Sequence, residues 1–459
     1  MNFGSYLFVW PKTKGSNAIV LFLLAIMSVM SIDFLSVFTF LFFILITVVS
    51  YLLIFKDKGF QDVILLFSFY TIVTVLIYWF QYCQFPQNIG CTGEGIHGGT
   101  DDLFFFQEAT NNGVSYRGDR SNFMHHYSVF LQIFVNLISL YKNVKLIDLL
   151  FVNVFALSFI PILTRKFAVC IGLSEKVSNL SFLFTSICPI LFINGLVLIR
   201  DGWTAMLFIA GLLFLIERRY LLLICVFTLM FYFRISSCIG LLFFLFMILI
   251  FSRNDDSSKV QFKGRVWLLF LISVLVILSL PATIIFLNNY KILDNIFFRE
   301  EFLGFINSSS SDHSAASFIY GLPMILRVPL GFVFYFGSPF FTLNDIWYSN
   351  SITIRLLLSA FFSLMFIFYL QYFVRSLSYL FGNKKNRLFV IVVIGYLFIN
   401  LVFSQLSMQI RHKTMFMPLF YIIVASGFEV TNKSFKILST LIASVLVLFE
   451  VIYTFLPFL

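Results

Sequence analysis

Apolar runs of roughly 20 residues, the length that crosses a bilayer as a helix, succeed one another from residue 16 to residue 457. Such runs leave a chain little choice, because the bilayer core holds no water to satisfy an exposed peptide group and each run must close its own hydrogen bonds. Only 11% of the residues are charged, 60% are hydrophobic and the mean hydropathy is +0.97. A soluble domain carries roughly 25% charged residues, and a membrane β-barrel would read as alternating segments of about ten residues. The chain is therefore expected to be an all-α polytopic membrane protein, a single integral membrane domain over residues 1–459.

The candidate spans are 16–32, 33–56, 61–82, 146–164, 176–198, 202–216, 219–233, 236–251, 266–288, 353–374, 388–406, 414–430 and 436–457. That is about thirteen transmembrane helices, within a range of roughly 11–14. The first run follows Lys12 and Lys14 but has no small-residue cleavage site, so it reads as a span and not as a removed leader.

With the N-terminus inside, the connections carrying Lys56, Lys58, Arg165, Lys166, Lys176, Arg218, Arg219, Arg253, Lys259, Lys263, Arg265, Arg375, Lys384, Lys385, Arg387, Lys433 and Lys436 are cytoplasmic. Together with Lys12 and Lys14 they hold the majority of the 31 basic residues, as the positive-inside rule requires. The formal charge of +10 thus reports topology. The basic residues are not gathered on one face with interleaved aromatics, which argues against a nucleic-acid partner. Counting 126–141 and 323–340 as full spans would invert this pattern, so both are expected to be interfacial or re-entrant helices. Two long outer (periplasmic) segments carry them, 83–145 and 289–352, the second with the run Ser308-Ser309-Ser310-Ser311 of a loop. Cys170, Cys188, Cys225 and Cys238 lie in or beside separate apolar runs without metal-ligand spacing, whereas Cys83 and Cys91 share one outer loop and could pair in an oxidising compartment.

This topology gathers the reactive inventory on one side: His97, His125, His126, His313 and His412, with Glu94, Glu108, Arg117, Asp119, Arg120, Asp312 and Arg327. Asp101 and Asp102 follow Gly98-Gly99-Thr100 in the first outer segment, and a carboxylate pair beside a membrane core is costly unless it does chemistry, binds a cation or caps a helix. The stretch from Asp101 to Ala109 looks helical, so Asp101 as N-cap competes with Asp101 as a base. Arg200 and Asp201 stand between two apolar runs, and Arg234 between the next two. They can neutralise one another and reach headgroups, or bind phosphate bidentately at the membrane surface. Arg411-His412-Lys413, ahead of Met417-Pro418, put three potential cations at a helix entrance, a seat for phosphate or an interfacial anchor.

These features resemble the GT-C superfamily of integral-membrane glycosyltransferases that use polyprenyl-linked sugars. In that superfamily an acidic pair followed by aromatics lies in the first long outer loop, as Asp101-Asp102-Leu103-Phe104-Phe105 does here. The later order also matches: the 126–141 helix, a span ending at Arg165-Lys166, a span containing Cys188-Pro189, then Arg200-Asp201, Arg234 and Arg411-His412-Lys413 with Pro418. Three spans precede the acidic loop where one is usual, and no large soluble C-terminal domain follows. A second resemblance is to Wzy-type O-antigen polymerases, which are phenylalanine-rich and have functional arginines in two outer loops; the 65 phenylalanines, and Arg200 with Gly211 and Arg411 with Gly427, echo them.

The resemblance implies a bacterial inner-membrane glycosyltransferase with its active site facing the periplasm, acting in surface-polysaccharide or O-antigen assembly, where polysaccharide-assembly proteins would be its neighbours. It would move a sugar or oligosaccharide from a polyprenyl-phosphate or polyprenyl-diphosphate donor to a lipid-linked or glycan acceptor among membrane lipids. Asp101 is then the general base and Asp102 orients the acceptor or holds a cation; Mg²⁺ or Mn²⁺ enters if both carboxylates are ligands. Arg200, Arg234 and Arg411 stabilise the departing phosphate, with Asp201, His412 and Lys413 in the same phosphate site. Phe104, Trp203 and Trp347 are more simply packing residues than sugar platforms. The competing expectations are an arginine-based repeat-unit polymerase and a flippase for lipid-linked oligosaccharide. The latter would show internal repeats, and none is evident.

Overall fold

A computed structural model of the protein describes residues 15–56, 59–79, 101–110, 125–251, 319, 322–338, 354–382, 387–406 and 410–430, with 437, 440, 441, 443–445, 447 and 448 beyond them. Among these there is no strand. The helices are α1 (Gly15–Met30), α2 (Ser36–Phe55), α3 (Phe60–Tyr78), α4 (Asp101–Thr110), α5 (His125–Ser139), α6 (Leu146–Cys170), α7 (Glu175–Ser186) and α8 (Pro189–Gly195). They continue with α9 (Asp201–Ile216), α10 (Tyr220–Phe233), α11 (Ile235–Phe251), α12 (Met324–Gly337), α13 (Ile354–Gly382), α14 (Arg387–Leu406), a 3₁₀ segment (Ile410–Phe416) and α15 (Met417–Glu429).

Among the described residues, four helices are long and apolar enough to cross a membrane: α2, α3, α6 and the stretch Leu357–Leu377 of α13. A fifth crossing results if α7 and α8, bent by 47° at their junction, form one broken span. Pro189 explains that break, since it cannot donate a backbone hydrogen bond and holds Cys188 in an extended conformation. The other described apolar runs do form helices where they are expected, with apolar stretches of 10–17 residues. At 1.5 Å per residue α1, α9, α10, α11 and α15 reach about 20–26 Å, and the 20 residues of α14 reach about 30 Å, the thickness of a hydrocarbon core. The expected spans 266–288 and, for the most part, 436–457 lie outside the described residues, as do Cys83, Cys91, Glu94, His97, Arg117, Asp119, Arg120, the 308–311 serines, Asp312, His313 and Trp347.

The chain divides into two compact units. The first comprises 1–247, 337–400 and 409–459, and its axis is α6, a helix of 25 residues and about 37 Å with 94% of its apolar window buried. The ion pairs of α6 lie at its two ends. At its start the Lys142 ammonium meets Asp33 Oδ2 at 2.7 Å, Asp148 Oδ2 at 2.9 Å and Ser36 Oγ at 2.7 Å. At its far end Arg165 pairs with Asp62 at 2.8 Å, and Lys166 lies over the Phe55 ring at 4.4 Å. Because Asp62 opens α3 while Arg165 closes α6, the two helices are antiparallel. Helix α5, in the stretch 126–141 expected to be interfacial or re-entrant, has 15 residues. One side of α5 buries Tyr127, Leu131 and Ile138; the other exposes Val129, Ile133 and Leu137.

Elsewhere in the first unit, α9 runs parallel to α6 and α10 returns antiparallel to α9. The segment Lys413–Phe428 runs alongside Phe362–Tyr372 of α13, with Lys413 near Phe362 and Tyr372 stacked on Phe428 at 3.6 Å. In the second unit, comprising 248–336 and 401–408, α12 buries Arg327 and Tyr335 and exposes Ile325, Leu326 and Val333. Cys170, Cys188, Cys225 and Cys238 are free thiols, the second and fourth buried.

Candidate functional site

Asn153 is the one amide side chain of α6. Its Nδ2 donates to the carbonyls of Val197 and Ile199, the latter at 2.9 Å, and its Oδ1 accepts from Tyr127 Oη at 2.6 Å. Residues 196–199 are not helical, and here a buried amide supplies hydrogen bonds to the turn carbonyls that water cannot. The turn is further tightened where Gly202 faces Gly195: a Cβ on Gly202 would stand 3.2 Å from the Gly195 Cα. This tight reversal delivers Arg200 and Asp201 to the start of α9, where an acid in the first turn complements the helix dipole.

Arg234, in extended backbone at the end of α10, separates that helix from α11. Its Nη1 donates to Asp201 Oδ1 at 2.6 Å, while Arg200 Nη1 donates to the Phe233 carbonyl at 3.0 Å. Each arginine is thus held by the residue adjoining the other, a reciprocal clasp between the start of α9 and the end of α10. Asp201 is 4% exposed and Arg234 14% exposed in their side chains, so the pair is largely withdrawn from solvent.

The 3₁₀ segment, which carries Arg411 and His412, packs against α9 with Phe416 on Phe208 at 5.3 Å. Burial and then the charges of Arg234, Arg411 and Arg200 hold the His412 imidazole at about 2, so it is neutral at physiological pH. The segment is anchored just after His412: Asn194 Nδ2 donates to Thr414 Oγ1 at 2.9 Å, and Lys413 Nζ donates to the Ser338 carbonyl at 2.8 Å. Lys413 is 1% exposed and lies 5.5 and 5.4 Å from the Phe362 and Phe366 ring centroids. Burial lowers its ammonium well below the ordinary lysine value. Of the expected phosphate-site residues, Arg200, Asp201 and Arg234 meet in the clasp and His412 feels the charges of Arg200, Arg234 and Arg411, whereas the Lys413 ammonium is directed to Ser338 and the two rings.

Helix α4 is tied to the same end of the bundle. Phe105 meets Tyr127 edge to face at 5.1 Å, and the buried Glu108 accepts a hydrogen bond from Ser128. On α5, His126 stacks on Tyr232 at 4.4 Å with its Nδ1 at 3.1 Å from the Tyr232 carbonyl, and Tyr127 contacts Phe233 at 5.7 Å. Trp203 completes the packing among Phe130, Phe155 and Phe233 at 5.0, 5.5 and 5.9 Å. Asp101 and Asp102 open α4, so their backbone precedes Phe105 by at most about 6 Å of helix.

Sequence reasoning missed Asn153 and Tyr127 as organisers of the site. The signal was present in the isolated Asn153 within an apolar run, since a polar side chain there needs a partner. Among the described residues no group of three or more His, Cys, Asp or Glu side chains could hold a metal ion. Nothing matches this chain among protein-family models, curated proteins or solved structures.

Proposed function

We propose that this protein is a glycosyltransferase of GT-C-like architecture with about thirteen spans, in a bacterial inner membrane, its site facing the periplasm. It takes a polyprenyl-phosphate or polyprenyl-diphosphate sugar as donor and a lipid-linked or glycan acceptor, in surface-polysaccharide assembly. The observation that carries this reading is the reciprocal clasp: Arg200 and Arg234, from helix ends that meet, with Arg411 brought beside the same His412 by a separate part of the chain. Guanidiniums fixed in advance at a bundle end suit a phosphate entering from the lipid, because planar donors engage its oxygens bidentately and lose little entropy in doing so.

In the reaction the acceptor hydroxyl attacks the anomeric carbon and its proton passes to Asp101. The bond from that carbon to the phosphate oxygen breaks, and its electron pair stays on the phosphate. Arg200, Arg234 and Arg411 stabilise the charge that grows there, with Asp201 keeping Arg234 in place. Asp102 orients the acceptor, or holds Mg²⁺ or Mn²⁺ if the enzyme uses a divalent cation.

Purified protein reconstituted with donor and acceptor tests this. Arg234→Ala is expected to lower turnover by about 10²–10³-fold, the cost of losing one preorganised donor to a developing oxyanion. Asp101→Asn should abolish transfer. Intact turnover in both Asp101→Asn and Asp102→Asn would instead favour an arginine-centred polymerase mechanism. Movement of lipid-linked sugar across liposomes without any glycan product would replace the enzyme by a flippase.

A further inference from the structure

Arg165 lies about 18 Å of helix beyond Asn153, and at that end of α6 the last turns of α2, α6 and α9 are tied together. Arg219 Nη1 donates to the Ile54 carbonyl at 2.6 Å, Lys166 lies over the Phe55 ring at 4.4 Å, and Cys170 Sγ stands 3.8 Å from Glu217 Oε1. Three helix C-termini, each the negative end of a dipole, thus meet where Lys56, Lys166, Arg218 and Arg219 stand. We propose that these four residues bind the phosphate of an anionic phospholipid, whose acyl chains lie over the exposed Leu53 and Leu221. This site is separate from the clasp and independent of the function proposed for it.

Among the described residues only Lys56 and Arg218 hold a positive φ without being glycine, at 54° and 60°. That conformation strains a residue with a Cβ and costs glycine nothing. The hydrogen bonds that close these two turns come from backbone N–H groups: Lys56 donates to the Leu52 carbonyl, Arg218 to that of Leu215 and Arg219 to that of Phe214. Glycine would close both turns as well, so the caps themselves call for no cation, yet each carries one and exposes it. Charge accumulates as a result. Asp62 matches Arg165 at 2.8 Å and Glu217 matches Arg219 at 2.9 Å, which leaves the charges of Lys56, Lys166 and Arg218 in excess among the described residues here. Asp57 and Lys58, next in the chain, offset each other. Beside the cations lies an apolar border, with Leu53 72% and Leu221 77% exposed. A soluble anion would answer the charge alone. A phospholipid answers both, because basic pockets between helix ends draw anionic headgroups while acyl chains cover the apolar side chains next to them.

Native mass spectrometry of the full chain reads the binding, in neutral-detergent micelles doped with phosphatidylglycerol or with the same mole fraction of phosphatidylcholine, and with inorganic phosphate as the soluble anion. The wild type is expected to retain phosphatidylglycerol in preference to phosphatidylcholine. Lys56→Gly combined with Arg218→Gly should weaken that preference by about tenfold or more, at about fivefold per cation removed. Thermal unfolding of this variant in undoped micelles should not be lowered, since glycine is at ease in a left-handed turn. Equal retention of the two lipids by the wild type, or an undiminished preference in the double variant, overturns the proposal. Displacement of phosphatidylglycerol by millimolar inorganic phosphate overturns it too and makes the occupant a soluble anion. Should the glycine variant fold poorly, Lys166→Gln reads the same site, and an undiminished preference there overturns the proposal as well.

Discussion

Asn153 and Lys142 show how single polar residues organise a mostly hydrocarbon interior. Lys142 is 9% exposed, and its three ammonium protons are matched by Asp33, Asp148 and Ser36, so its charge is buried with partners on every side. Removing the deepest partner leaves that charge poorly compensated. Asp148→Asn is expected to lower unfolding free energy by about 3–5 kcal/mol, measurable by denaturant titration in micelles. Asp33 acts through pH. Burial pushes its carboxyl up, but hydrogen bonds from Lys142, Ser36 and Lys145 outweigh that and hold it at about 2. A lowered carboxyl stabilises the fold above its ordinary value and loses that contribution as pH falls through it. Thermal stability should therefore decline between roughly pH 4 and 2, and Asp33→Asn should remove that part of the decline. Arg200, Asp201 and Arg234 were legible at this scale because a charge between two apolar runs has nowhere to lie but a helix end. The clasp was not, since the partners Asp201 and Arg234 are 33 residues apart.

Helix packing gives the glycines their meaning. Gly211 and Gly427, which follow Arg200 and Arg411 at a spacing suggestive of a motif, sit at helix contacts. A Cβ on Gly211 would stand 2.5 Å from a Leu241 methyl, which can turn aside. A Cβ on Gly427 would stand 1.9 Å from the Tyr372 carbonyl oxygen, a backbone atom that cannot move without separating α13 from α15. Gly427→Ala should therefore destabilise by about 3 kcal/mol or fail to fold, and Gly211→Ala by about 1 kcal/mol, read as shifts in thermal unfolding in micelles. Charge parity gives 126–141 as an interfacial or re-entrant helix, and the structure has a helix there, α5, with one side buried and the other exposed. Its attachment to α10 through His126, Tyr127 and Phe233 depended on aromatic contacts that no spacing in an aromatic-rich chain reveals.

At the scale of the molecule, the ion pairs of α6 lie at its two ends. If the first unit spans the bilayer along α6, Lys145 and Lys176 belong to opposite faces. Lys145→Cys and Lys176→Cys, in a background without the exposed Cys225, should react with a membrane-impermeant maleimide from opposite sides of sealed vesicles. Reaction from one side alone would overturn the orientation of α6 across the membrane. What the sequence alone determined was helical class, the places of most helices and which charges stand at their ends, because peptide desolvation in hydrocarbon admits few alternatives. What only the tertiary structure decided was which helix ends meet, because partners in the clasp and around His412 are chosen by packing between distant segments and leave no local pattern.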